Sequence, residues 1–125
     1  MYMPTSKVLF VGDLAVNWIY GNNLGDRDAD YNGWLAALER IAGWDVKVVI
    51  PGHGVPGGVE ILRGQHDYLR DMLNFVTAGI KSGKTADQLA QEINLSKYQP
   101  FAPDPKRVAG QVRTMYRKLT ASAAR

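Results

Sequence analysis

The strongest constraint on how this chain folds comes from two short apolar runs that each lead into a glycine-flanked polar residue. Residues 8–12 read Val-Leu-Phe-Val-Gly and precede Asp13, and residues 46–50 read Val-Lys-Val-Val-Ile and precede a Pro-Gly-His-Gly turn at 51–54. Runs rich in β-branched residues predict strands, and the unbroken first run is typical of a strand covered on both faces. A helical pattern lies between the two runs. The sequence therefore predicts one βαβ unit with parallel strands at about 7–12 and 46–50.

Four helices are predicted from apolar spacing and from end signals. The first spans about 31–42, where Asp30 can cap its start and Gly43 can end it. Three further helices are predicted at about 59–81, 85–93 and 105–120. Their clearest end signals are a capping box at Thr85 and Gln88 and an acid-proline start at Asp104 and Pro105. We therefore expect an α/β protein that forms a single domain over residues 1–125, with a helical tail at 82–125.

The composition limits both the compartment and the chemistry. The chain has 125 residues, no cysteine and two histidines, His53 and His66. The absence of cysteine excludes disulfides, thiolate metal ligands and cysteine nucleophiles. No apolar run approaches about 18 residues, and no apolar core follows a basic head at the N-terminus, so we predict no transmembrane helix, no secretory signal and a cytoplasmic location. Two histidines are too few for a histidine-rich dinuclear metal site in one chain.

The net charge of +3 is concentrated in the last predicted helix. Residues 104–125 hold six basic residues and one acid, which gives +5, so the first 103 residues carry nine basic and eleven acidic groups, or −2. The basic residues could contact nucleic acid or could form a solvated helix face, and we favour the solvated face. The residues concerned are Arg107, Arg113, Arg117 and Lys118. We therefore predict no nucleic-acid partner and no membrane partner.

Asp13 and His53 are the candidate metal ligands. The carboxyl ends of parallel strands meet at one edge of an open α/β sheet, so these two residues should emerge close together. A carboxylate and an imidazole suit zinc, iron or manganese. Taken singly, Asp13 could cap a turn and His53 could hydrogen-bond a loop. Their paired position favours the metal site, whereas His66 lies within a predicted helix and is interpreted as solvated or structural.

Four segments in this order resemble a known family. They are Val8 to Asp13, Asn22 to Asp26, Tyr31 to Ile41 and Val48 to Gly54, and together they are similar to the C-terminal half of a metallo-β-lactamase-fold hydrolase. The resemblance covers about residues 7–81 and implies half of an αββα sandwich. It also implies that Asp13 is the carboxylate that bridges two metals, commonly zinc, and that His53 is the last histidine ligand. The activity it implies is metal-dependent hydrolysis of an ester, amide, thioester or phosphoester.

The sequence departs from the family because it contains no His-x-His-x-Asp-His motif. We therefore expect a truncated half-domain whose partial metal site binds zinc, manganese or iron weakly and does not hydrolyse a substrate alone. Apolar surface left by the missing half should drive homo-oligomer formation, or be covered by a separate chain that supplies the N-terminal half. Trp18 and Tyr20 could line a substrate pocket in a complete enzyme or could serve packing alone. The alternative function is a protein-interaction module that reuses the half-fold without a metal.

Overall fold

A three-stranded sheet forms one side of the molecule. The computed structural model describes residues 1–18, 20–21, 24–26 and 29–123. Strands β1 (Tyr2–Met3), β2 (Val8–Gly12) and β3 (Val48–Pro51) lie in the order β1-β2-β3, with β1 antiparallel to β2 and β2 parallel to β3. The predicted parallel pair is confirmed, and β1, which was not predicted, adds a third strand. Asn22 and Asn23, part of the segment 22–26 that carries the resemblance, lie outside the described residues.

The four helices agree with the predicted positions. They are α1 (Tyr31–Ala42), α2 (Glu60–Lys81), α3 (Ala86–Glu92) and α4 (Pro105–Ala123), and a short 3₁₀ turn at Ser96–Tyr98 was not predicted. The predicted caps are present: the Asp30 side chain accepts from the Gly33 amide, and Thr85 and Gln88 form the reciprocal capping box. The α/β class is therefore established. Within the described part of the chain, no helix has the length and apolar character needed to cross a bilayer.

Helices α1 and α2 cover one face of the sheet. Side chains alternate between the two faces of a strand, so Leu9 and Val49 point toward the helices and are fully buried. They form an apolar cluster with residues of the helices and of the loop after β2: Ala15, Leu38, Ile41, Ile61 and Leu62. A second and larger cluster joins α2, α3 and α4 to the loop before α1, and Trp34 packs against both clusters. The strand ends are thereby fixed to a helical scaffold.

The opposite face of the sheet is not covered by the described residues. Phe10 and Ile50 are paired across β2 and β3, and Phe10 is 40% exposed while Ile50 is half-buried. Met3 on β1 is exposed as well. The prediction that the first strand is covered on both faces is therefore wrong. The apolar run alone could not distinguish a strand buried on both faces from one that leaves apolar side chains exposed.

Candidate metal centre

The ends of β2 and β3 bring Asp13 and His53 together, as the βαβ prediction expected. Gly12 and Pro51 are the last paired residues of the two strands, and Gly12 has a φ of 54°, a left-handed conformation that glycine adopts readily. The chain turns there, and Asp13 Oδ1 lies 3.3 Å from His53 Nε2. The side chains of Asp13 and His53 are 50% and 60% exposed. A carboxylate and an imidazole thus share one solvent-accessible edge of the sheet.

Backbone hydrogen bonds join the loop after β2 to the loop after β3. The Gly52 amide donates to the Ala15 carbonyl at 3.2 Å, and the Asn17 amide donates to the His53 carbonyl at 2.9 Å. The Asn17 side chain also donates from Nδ2 to the Val55 carbonyl at 2.9 Å. His53 therefore lies between two cross-loop contacts, which fix its backbone relative to Asp13.

Two glycines allow these loops to approach each other. A Cβ on Gly52 would lie 2.7 Å from the carbonyl carbon of Gly12 and would overlap the Asp13 carboxylate. Gly54 has a φ of 90°, and a Cβ there would overlap the carbonyl of Asn17. The Pro-Gly-His-Gly sequence is thus explained by contact between the loops: each glycine beside His53 stands where a side chain would push the loops apart.

Helix α1 positions the first of these loops. Trp34 on α1 donates a hydrogen bond from Nε1 to the Leu14 carbonyl at 2.7 Å, one residue after Asp13. Trp34 is half-buried between the two apolar clusters, so its indole is held in place by packing. Helix α1 therefore connects β2 to β3 and also positions the loop that follows β2.

The distance between the two ligand atoms fits a shared metal ion. Bonds of about 2.1 Å at tetrahedral angles place neighbouring ligand atoms about 3.4 Å apart. Asp13 Oδ1 and His53 Nε2 match that separation at 3.3 Å. Among the described residues, no group of three or more histidines and carboxylates is arranged so that it could hold a metal ion. The same separation is that of an ion pair, and the two residues alone would supply only two ligands of a tetrahedral site.

Trp18 and Tyr20, the predicted pocket residues, occupy different surroundings. Trp18 follows Asn17 in the cross-loop contact and is 60% exposed. Tyr20 is buried, its ring packs against those of Tyr68 and Phe101 at 5.3 and 5.7 Å, and burial raises its pKa. Tyr20 therefore serves the helical core, and a pocket role for either residue stays a prediction.

His66, the other histidine, links two helices. Its Nε2 lies 2.8 Å from Glu39 Oε1 on α1 and its Nδ1 lies 3.0 Å from Asp67 Oδ1 on α2. Burial lowers the pKa of His66, but the hydrogen bonds with Asp67 and Glu39 outweigh burial and raise the pKa above its ordinary value. Both ring nitrogens are engaged by carboxylates, so His66 has a structural environment that differs from that of His53.

Two cavities of the molecule lie away from the strand ends. One of about 170 Å³ lies between α3 and the start of α4, and another of about 400 Å³ is bordered by Gly21, Arg107 and Gln111. Neither Asp13 nor His53 lines them. The candidate metal centre is thus an open edge and not the floor of one of these cavities.

Sequence reasoning missed Asn17, which holds the two loops together. Asparagine is a common loop residue whose side chain bonds to backbone groups, so it carried a weak local signal. Its partner, the Val55 carbonyl, is 38 residues away in sequence, and only the parallel pairing brings the two together. No known protein-family model matches the sequence. The family resemblance therefore depends on the order and spacing of its motifs.

Proposed function

We propose that this chain is a metallo-hydrolase-like half-domain in which Asp13 and His53 supply two ligands to a divalent metal ion. Zinc is the first candidate, with manganese and iron as alternatives. The remaining ligands come from another chain or from a second copy. The chain is not a competent hydrolase alone, because catalytic zinc sites generally use three protein ligands.

The observation that carries this proposal is the 3.3 Å contact between Asp13 Oδ1 and His53 Nε2 at the joined strand ends. Two loops, two close-packed glycines and a helix hold this contact in place. A contact supported in this way is preorganised, which is what a metal site requires of its ligands. The surface exposure of both side chains leaves room for additional ligands.

A bound divalent metal would supply Lewis acidity at this edge of the sheet. The residues of this chain orient the ligand atoms. The hydrogen bond from the Asn17 amide to the His53 carbonyl fixes the backbone of the histidine, and the close packing of Gly52 against Gly12 fixes the separation of the loops. These contacts position His53 and Asp13 without taking part in bond-making.

Equilibrium dialysis against a fixed concentration of free zinc tests the proposal. The untagged protein is expected to accumulate zinc above the level of the buffer, as measured by elemental mass spectrometry. The Asp13→Ala/His53→Ala double variant is expected to lose this excess. Neither protein is expected to accelerate hydrolysis of an activated ester such as p-nitrophenyl acetate when zinc is present.

His66→Ala is the matched control, because His66 also lies within 3.0 Å of a carboxylate but has both nitrogens engaged. It is expected to retain the zinc that the double variant loses, once circular dichroism shows that it is folded. Equal zinc in the native protein and the Asp13→Ala/His53→Ala variant would overturn the proposal. So would loss of zinc in the His66 variant alone.

A protein-interaction module without a metal is the second candidate function. The uncovered face of the sheet favours it, because Met3 and Phe10 expose 44% and 40% of their surface there. Exposed apolar patches often mark interaction sites. Under this reading, Phe10→Ser abolishes association with a partner, whereas Asp13→Ala/His53→Ala leaves both folding and association unchanged. Pull-down of a partner by the double variant as well as by the native protein would favour it over the metal proposal.

A further inference from the structure

We infer that two copies of this chain share one zinc ion, each supplying Asp13 and His53 across a twofold axis that passes between the strand ends. The inference rests on the proposed function, because it assumes that the two residues bind a metal. It adds the identity of the missing ligands: they are the same two residues of a second copy. The metal would then be structural for the dimer, because four protein ligands leave no open coordination position.

One copy offers two zinc ligands, and a structural zinc site needs four. Structural zinc sites are almost always four-coordinate and tetrahedral. Each copy offers a carboxylate oxygen and an imidazole nitrogen at 3.3 Å, the spacing of two neighbouring corners of that tetrahedron. Two copies therefore complete a site of two aspartates and two histidines, and no third ligand has to come from the described part of one chain.

A twofold contact brings the same two residues of each copy to one point on the axis. In a twofold dimer both copies use the same surface, so every contact between the copies occurs twice. Asp13 of one copy can thus approach His53 of the other, and the arrangement is repeated on the opposite side of the axis. The half-exposed state of both side chains makes this edge accessible to a second copy.

Exposed apolar side chains on the same two loops supply the contact around the metal. Trp18 lies beside Asn17 on the first loop and Val55 lies on the second, with exposures of 60% and 68%. The hydrogen bond from Asn17 Nδ2 to the Val55 carbonyl joins the two loops that carry Trp18 and Val55. Aromatic residues are enriched in the buried centres of interfaces, and a tryptophan with this exposure is costly to leave in water.

Sedimentation equilibrium of the full chain tests the inference with zinc as the only added ligand. Protein treated with a chelator and then transferred to chelator-free buffer is expected to sediment as a 13.8 kDa monomer. Zinc is expected to convert it to a dimer of about 28 kDa, twice the chain mass, with one zinc for two chains by elemental analysis. Excess chelator is expected to restore the monomer.

Trp18→Ser and Val55→Ser are the variants that separate the interface from the ligands. Both leave Asp13 and His53 in place and change exposed side chains, so they should fold. We expect the combined variant to weaken zinc-dependent dimerisation at least tenfold. Phe10→Ser is the matched control, because it removes an exposed apolar side chain from the sheet face and should leave zinc-dependent dimerisation within twofold of the native value.

The outcomes distinguish the inference from the function on which it rests. A monomer that holds one zinc per chain would overturn the shared site and would leave the proposed metal function standing. A dimer that forms without zinc, or that survives in Asp13→Ala/His53→Ala, would overturn the shared site too. A chain that binds no zinc at any concentration would overturn both.

Discussion

Two buried glutamines show how the surroundings of a single residue decide its contribution to stability. Gln65 on α2 is fully buried, and neither of its amide atoms has a hydrogen-bond partner in the described part of the chain. Gln111 on α4 accepts a hydrogen bond from the Tyr68 hydroxyl and donates to the Tyr20 carbonyl at 3.2 Å. The same side chain is therefore a cost at one position and a connection between α2 and α4 at the other.

Replacing Gln65 by methionine should stabilise the protein. The change removes two unsatisfied polar atoms and keeps an unbranched side chain of similar length, so we expect the free energy of unfolding to rise by about 1–3 kcal/mol. Gln111→Met is the control and should lower it by a similar amount, because the buried Tyr68 hydroxyl loses its acceptor. Urea denaturation measures both. A destabilised Gln65→Met protein would show that the amide has a partner in solution.

His66 should make stability depend on pH near neutrality. Burial lowers the pKa of His66 in the folded state, but hydrogen bonds with the carboxylates of Asp67 and Glu39 raise it above the ordinary value of about 6.5. The stabilisation is therefore fully present below about pH 6.5 and is lost as the pH rises through the raised pKa. Urea denaturation at pH 6 and at pH 8.5 should show this fall.

Two variants identify the source of the pH effect. His66→Gln should remove the fall in stability between the two pH values, because the imidazole that bridges α1 and α2 is gone. Glu39→Gln should reduce it, since one of the two carboxylates is neutralised. If the native protein and His66→Gln change in parallel, the bridge does not carry the pH dependence.

At the scale of helices and strands, local signals predicted the helices well and the sheet less well. Asp30, Thr85 and Asp104 each marked a helix start because a capping side chain bonds to an amide three residues on. Strand β1 was not predicted, because a strand of two residues is too short to show an alternation of apolar and polar side chains. Its pairing with β2 is set by tertiary contact.

Two glycines in helices make a matched pair for helix packing. Gly79 lies on α2 where a Cβ would stand 2.9 Å from Leu89 Cγ on α3, and Leu89 is buried. Gly110 lies on α4 with open space around that position. Glycine therefore permits close contact between helices at one site and only weakens the helix at the other.

Alanine substitutions should separate these two roles. Gly110→Ala should raise the free energy of unfolding by about 1 kcal/mol through helix propensity. Gly79→Ala should lower it by up to about 2 kcal/mol, because overpacking against Leu89 costs about 1–3 kcal/mol while the propensity gain is about 1 kcal/mol. Thermal unfolding followed by circular dichroism measures both. Stabilisation by Gly79→Ala would mean that α2 and α3 pack less tightly than the contact with Leu89 implies.

At the scale of the whole molecule, the candidate metal centre follows from the topology more than from any single motif. The rule that parallel strands end at one edge predicted that Asp13 and His53 would be neighbours, and they are. It could not predict the hydrogen bonds of Asn17 or the exposed face of the sheet, since both depend on which long-range contacts form. The position of Asp13 and His53 could thus be predicted from the sequence, whereas the loop contacts that hold them in place could not.

The measurement that tests the metal proposal most directly is the response of the two histidine side chains to zinc. Long-range ¹H–¹⁵N correlation spectra resolve the ring nitrogens of His53 and His66, the only two histidines of the chain. Zinc should shift the ring nitrogens of His53 and leave those of His66, which are engaged by Glu39 and Asp67, unchanged. If zinc leaves His53 unshifted in the folded protein, or shifts His66 first, the strand-end pair is not a metal site.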